Sequence, residues 1–310
     1  MSKLMFDTSG YRIKHLAEIT GLSSHVIRKW DQRYDLLTPQ RAENGYRQFD
    51  LEDLQLLLFI KQQQTAGTAI GQLASQGREA LIAKMNSGPI DVTDIPESYK
   101  NDATILIQAA RQHDQQNVDQ TIHRLIKQYG FGQALTQIFF PVLRSIGQLW
   151  HQGRISPKGE RAVSQTIRCL LADDLHLQNG NGKPQAVVAC MPHDFHEIGA
   201  MAAVGILRQK GWKTTYLGED SSIEIVRLAC QRNEGRLVLL SCVVEHDPEV
   251  MKNLIDEIVH QLLPITSVAI GGKGASLYID WIERKGIRYI GEIDHLKNMT
   301  PDSLRELRIV

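Results

Sequence analysis

Five short apolar runs alternate with helical stretches through the second half of the chain. The runs cover 186–191, 213–217, 237–241, 267–270 and 287–290, and helical periodicity covers 197–210, 222–233, 248–262 and 275–285. Strict alternation leaves few packings. The strands pair in parallel and helices cover both faces of the sheet. Ligands of such sheets bind outside the carboxyl ends of the strands. An α/β domain is therefore expected over 181–310, doubly wound and Rossmann-like.

Three polar or small-residue marks fall at those carboxyl ends. After the first strand comes Asp194-Phe195-His196-Glu197-Ile198-Gly199. Ser241 and Val243 end the third, and Gly271-Gly272 end the fourth. A loop histidine can offer a ring nitrogen to a metal, and an aspartate two residues back can hold the other nitrogen. Gly199 has no side chain, so a bulky ligand can approach the backbone. Taken singly these residues are common on any surface; their shared edge is what makes them a site. The Glu245-His246-Asp247 run resembles a metal cluster on paper but reads as a loop of solvated charge.

The N-terminal segment reads differently. Ile13, Leu16, Ala17 and Ile19 form one apolar helical face, Gly21 suits a tight turn, and Ser23 or Ser24 caps a second helix carrying Val26, Ile27 and Trp30. Two short helices joined by a glycine turn suggest a helix-turn-helix, with Ser24, His25, Arg28 and Lys29 facing outward from the reading helix. A hairpin turn at Asn44-Gly45 places Arg41, Tyr46 and Arg47 on a wing suited to phosphates. Trp30 and Phe49 read as core. Over residues 10–50 there are seven Lys or Arg against five Asp or Glu. So small a surplus favours binding to DNA as a dimer, which multiplies phosphate contacts.

Composition sets the compartment. Formal net charge is zero, so any basic surface is local. The four cysteines are scattered, form no zinc pattern and suggest reduced thiols in a cytoplasm. No signal peptide or membrane-spanning run is visible, so no membrane partner is expected.

Two resemblances follow from these motifs. Residues 11 to about 80, with Trp30-Asp31-Gln32-Arg33-Tyr34, resemble the MerR-family winged helix, which implies a DNA-binding domain over 1–82. The pattern Asp194-x-His196-x-x-Gly199, Ser241-x-Val243 and Gly271-Gly272 resembles the cobalamin-binding domain of the base-off, His-on type. That resemblance implies cobalt ligation by His196 and a slot for the nucleotide tail lined by the serine and the glycine pair. Val243 stands where leucine is usual.

Between the two, 83–100 reads as a linker and 101–180 as a helical bundle, broken at Gly130-Phe131-Gly132, Pro141 and Gly153. The run from Ile146 to Arg168 resembles the cap over cobalamin in light-sensing MerR regulators of the CarH/LitR type. Trp150 would lie over the cofactor, Glu160 would support an adenosyl group, and His151 would capture cobalt once that group leaves. Arg161 stands where that family has histidine. Two readings stay open for it: a hydrogen bond to a ribose, or a cap that favours another upper ligand.

The resemblances imply a non-enzymatic regulator of operator DNA, a homo-oligomer (dimer or tetramer), with adenosylcobalamin as its cofactor and light as its signal. Two alternatives are a regulator of the same fold that senses cobalamin or another signal without light, and a corrinoid methyltransferase subunit.

Overall fold

A computed structural model describes residues 10–41, 45–87, 90, 92–177, 185–291 and 293–300; the side chains of 86, 87, 151, 157, 174–177 and 297 lie outside that description. Two compact units result, one within 4–166 and one from 167 onward.

The first unit opens with α1 (Ile13–Thr20) and α2 (Ser24–Tyr34). Gly21 ends α1 with φ at 65°, the left-handed conformation that glycine adopts without strain. Ser23 supplies the cap of α2, accepting a hydrogen bond from Val26 N at 3.2 Å. Leu16 and Ile27 pack on Phe49, Leu54 and Leu57, with Trp30 partly buried against them. The strands β1 (Gln40–Arg41) and β2 (Arg47–Gln48) pair antiparallel as the wing. Asn44, the expected turn residue, lies outside the described residues.

Helix α3 (Leu51–Thr65) starts with a reciprocal cap between Asp50 and Asp53. Asp53 is fully buried and also accepts from Thr38 N at 3.0 Å and from Arg78 at 2.7 Å. Burial pushes its carboxyl above the usual range, although Thr38 and Arg78 oppose this. Helices α4 (Ile70–Ala74) and α5 (Arg78–Ser87) place Leu73, Leu81 and Met85 on Leu56, Phe59 and Ile60 of α3. Residues 83–87, expected in the linker, are therefore the last turns of a helix held by its own apolar face.

The bundle follows with α6 (Lys100–Arg111) and α7 (Gln115–Tyr129). Gly130, at φ 80°, breaks the chain as expected. Pro141 does not. Helix α8 (Phe131–Ala134), a π-helical turn at Leu135–Phe139 and α9 (Phe140–His151) run on without interruption. The wider turn precedes a residue that has no N–H to donate, at the first turn of α9, where proline is tolerated.

At the end of α9 the bundle meets the head. Gln55 of α3 donates to Ile155 O. Gly153 has φ 70°, and a Cβ there would stand 2.3 Å from Gln55 O. Helix α10 (Pro157–Leu177) begins equally close, since a Cβ on Gly159 would stand 2.3 Å from Ala110 O.

The second unit is one parallel sheet in the order β4-β3-β5-β6-β7. Its elements are β3 (Gln185–Cys190), α11 (Ile198–Gln209), β4 (Lys213–Tyr216), α12 (Ile223–Arg232), β5 (Gly235–Ser241), α13 (Pro248–Gln261), β6 (Ser267–Gly271), α14 (Ile279–Arg284) and β7 (Arg288–Ile290). The helix expected over 275–285 divides: Lys273–Tyr278 is a tighter 3-10 segment that leads into α14. Alternate strand residues serve opposite faces. Val187, Ala189, Val238 and Leu240 pack with α12 and α13, while Ala186, Val188, Leu237 and Leu239 pack with α11 and with Leu296 and Met299. The chain goes from β3 outward to β4, then returns past β3 to β5. Strand order therefore reverses between β3 and β5, which opens a crevice at their carboxyl ends.

The glycine contact between bundle and head yields a first prediction. Gly153→Ala should lower stability by at least about 2 kcal/mol, because left-handed alanine costs about 1–2 kcal/mol before the contact with Gln55 is counted. Urea unfolding of the full chain measures it; an unchanged midpoint and slope would contradict the packing described.

Candidate functional site

The crevice between β3 and β5 is organised by a carboxylate. Asp194 follows β3 and its side chain is wholly buried. One oxygen accepts from His196 N and from His196 Nδ1, each at 3.0 Å. The other accepts from the backbone of Val243 at 2.5 Å and of Val244 at 3.1 Å, in the loop after β5. Burial alone would push this carboxyl up, but the hydrogen bonds from His196, Val243 and Val244 outweigh it and hold it below the usual value. A carboxylate can only accept here, so the proton between the two side chains belongs to Nδ1. That tautomer puts the ring's lone pair on Nε2. The imidazole itself is 64% exposed while its anchor is sealed, and Phe195 beside it is 51% exposed. The result is an outward-facing nitrogen donor on a rigid mount.

Backbone contacts assemble the rest of the edge. Met191 N donates to Ser241 O and Cys242 N to Gly271 O, each at 2.8 Å. Two glycines there answer to the chain's own packing. Gly272 has φ 109°, and a Cβ would stand 2.3 Å from Cys242 O; on Gly274 it would stand 2.1 Å from Val244 O. Gly199 is different. Its nearest neighbour would be Ser241 Oγ at 3.9 Å, an ordinary contact. Nothing in the described chain requires glycine at 199, which leaves room for a ligand beside Ser241. Asp194, His196, Gly199, Ser241, Val243, Gly271 and Gly272 thus share one edge, as the motif spacing predicts.

Several neighbours were not legible beforehand. Glu197 pairs with Arg168 of α10 and with Tyr216 of β4. His246 is not solvated as expected: its Nε2 is buried, its ring is half-buried, and burial pushes its pKa below the ordinary histidine value. Gly274 shows its role only once β5 and β6 are adjacent. The Glu197 contacts join residues 19 and 29 positions apart, which local spacing does not reveal. Among the described residues no group of three or more His, Cys, Asp or Glu side chains is placed to hold a metal ion. His196 offers one exposed ring nitrogen as a candidate ligand.

Trp150, Glu160 and Arg161 belong to the other compact unit. Trp150 is half-buried at the end of α9, and Glu160 is half-buried in the first turns of α10. Arg161 is exposed, and its charge reaches Tyr11 in the head: burial raises the Tyr11 phenol, and Arg161 opposes that rise. The side chain of His151 lies outside the described residues.

In the head, His25, Arg28 and Lys29 are exposed along α2 and Ser24 is half-buried. Arg41, Tyr46 and Arg47 are exposed on the wing. Arg47 donates to Asp31 of α2 at 2.8 Å, which ties wing to helix. Arg12, not singled out by the motif, sits 6.0 Å from the centre of the Tyr46 ring and adds a cation beside the wing. A helix and a hairpin presenting Arg28, Lys29, Arg41 and Arg47, with Arg12 beside them, suit a DNA groove and its flanking phosphates.

Comparison with known proteins agrees with both halves. Residues 11–74 match the MerR HTH family of regulatory proteins, and residues 184–296 match the B12 binding domain. The chain is 28% identical over 291 residues to the HTH-type transcriptional repressor CarH of Myxococcus xanthus, covering 92% of this chain and 96% of the relative. It is 26% identical to the repressor CarA of the same organism, covering 92% and 94%. Among solved structures, the monomethylamine corrinoid protein of Methanosarcina barkeri superposes with a TM-score of 0.53 at 16% identity, over 64% of this chain and 97% of that one. That likeness shows a shared fold. No helix among the described residues is long and apolar enough to cross a membrane. One chain thus joins a MerR-type helix-turn-helix DNA-binding domain to a B12-binding domain.

Proposed function

We propose that the protein is a transcription regulator whose grip on operator DNA is set by bound cobalamin. One observation carries the reading: an exposed imidazole, locked by a buried aspartate with its lone pair on Nε2, beside a glycine that no intramolecular contact demands. The residues fit the cofactor. His196 would ligate cobalt from below, Asp194 would fix its tautomer and raise its basicity, and Gly199, Ser241, Val243, Gly271 and Gly272 would line the slot for the displaced nucleotide tail. When bound, cobalamin would supply a cobalt centre and, in the adenosyl form, a light-labile cobalt–carbon bond.

The chain's own residues do the rest. Trp150 and Glu160 are proposed to shield and support the upper face, with His151 as an alternative cobalt ligand. In the head, α2 reads bases through Ser24, His25, Arg28 and Lys29, while Arg41, Tyr46 and Arg47 hold phosphates. The small charge surplus makes a homo-oligomer, dimer or tetramer, the expected DNA-binding form. Like CarH and CarA, which are named as repressors, the protein would act on transcription, in the cytoplasm, without catalysis. A second reading, response to cobalamin without light, is favoured by Arg161. It stands where the light sensors have histidine, and its charge acts on Tyr11 of the head.

Four experiments test this reading. Operator binding by the full chain should change with adenosylcobalamin in the dark, and His196→Ala should abolish the change. Illumination separates the two readings: reversal by green light supports a photoreceptor, whereas an unaltered complex supports the light-independent sensor. Replacing Asp194 by alanine strips two partly buried N–H groups, of Val243 and Val244, of their acceptor. Unsatisfied donors cost about 1–3 kcal/mol each, so a loss of about 2–6 kcal/mol is expected, with faster amide exchange at 243 and 244 than at distant strands. Lys29→Ala should flatten the slope of log affinity against log salt by about 0.9 if the side chain neutralises one phosphate; an unchanged slope would remove Lys29 from the interface.

A further inference from the structure

The loop that presents His196 is gripped a second time, one residue further on. Glu197 directly precedes α11, and its side chain is only 12% exposed. Oε1 accepts from Nε of Arg168 on α10, and Oε2 accepts from the Tyr216 hydroxyl at the end of β4 at 2.8 Å. Both carboxylate oxygens are therefore engaged, and three elements (α10, α11 and β4) converge on one side chain. The pairing also shows in the partners' acidities. The hydrogen bond and charge of Glu197 raise the Arg168 guanidinium, and burial followed by the hydrogen bond to Glu197 raises the Tyr216 phenol.

The geometry divides the work between two carboxylates. Asp194 bonds the nitrogen atoms of residue 196, which sets the tautomer. Its side-chain hydrogen bonds go to His196, Val243 and Val244 and none goes to α11, so they do not fix the start of that helix. Glu197 does, because its backbone is joined to His196 and its side chain is pinned to α10 and β4. A metal-bound imidazole must aim its lone pair along the bond to the metal, so a tilt of the loop weakens the bond even with the tautomer intact.

We infer that Glu197 is a positioning residue for the cobalt ligand, holding His196 in register through its contacts with Arg168 and Tyr216. The inference rests on the reading of His196 as the lower ligand. The test compares full-length wild type with Glu197→Ala, Glu197→Gln and Tyr216→Phe. Without cofactor, ¹⁵N NMR of the His196 ring reports the share of molecules with the proton on Nδ1. With adenosylcobalamin in the dark, retention through gel filtration and the absorption spectrum report affinity and histidine coordination.

The wild type should hold one tautomer and bind with histidine on cobalt. Glu197→Ala should weaken retention on the order of 10-fold, as loss of an outer ligand-supporting contact does, and should show a mixed histidine-on and histidine-off spectrum. Glu197→Gln, which keeps one acceptor, should recover part of the loss, and Tyr216→Phe should fall between. If Glu197→Ala matches the wild type in retention and spectrum, the inference is wrong. Should that variant fail to fold, equality of Glu197→Gln and Tyr216→Phe with the wild type overturns it equally. If the wild type holds one His196 tautomer yet retains no cobalamin, the lower-ligand reading itself fails and this inference falls with it.

Discussion

The buried charge of Asp194 is the constraint on which the candidate site depends. An ionised carboxylate withdrawn from water is costly unless its lone pairs are filled. Here they are filled by four donors from two loops, His196 on its own loop and Val243 and Val244 on the next. The same bonds that make the charge tolerable staple the loop after β3 to the loop after β5. They also leave the imidazole in one tautomer, facing outward. Stability and ligand geometry are therefore one arrangement, and a substitution at Asp194 disturbs both.

A comparable economy appears in the head and bundle. Asp53 closes the cap of α3 while receiving Thr38 N and Arg78, so the segment leading into the wing, α3 and α5 share one buried carboxylate. Gln55, two residues on, crosses to Ile155. The segment carrying Trp150 thus ends on the helix that supports the DNA-reading pair, with Gly153 against the α3 backbone. The loop after α9 is thereby packed directly on α3 of the head.

Much of this was legible in the sequence because it is local. The alternation of strand and helix, the cap at Ser23, the turn at Gly21 and the edge carrying Asp194, His196, Ser241 and Gly271 all follow from spacing within one or two elements. What escaped is what joins distant elements. The Glu197–Arg168–Tyr216 cluster and the half-buried His246 cannot be seen without knowing which strands are neighbours. Pro141 misled for a different reason: a π-helical turn accommodated it where a break was expected. The linker reading failed over 83–87 because Leu81 and Met85 find an apolar surface on α3, which outweighs the glycine and proline that follow.

The central claim is that a protein histidine, His196, binds the cobalt of cobalamin from below. Electron paramagnetic resonance of cob(II)alamin bound to the full chain tests it directly when the protein is labelled with ¹⁵N-histidine. Unlabelled protein should show cobalt lines split into triplets by the ligating nitrogen. Labelling should turn the triplets into doublets, and His196→Ala should remove that effect. Triplets that persist in the labelled protein would mean that the ligating nitrogen comes from the cofactor's own base, and the site would have to be read anew.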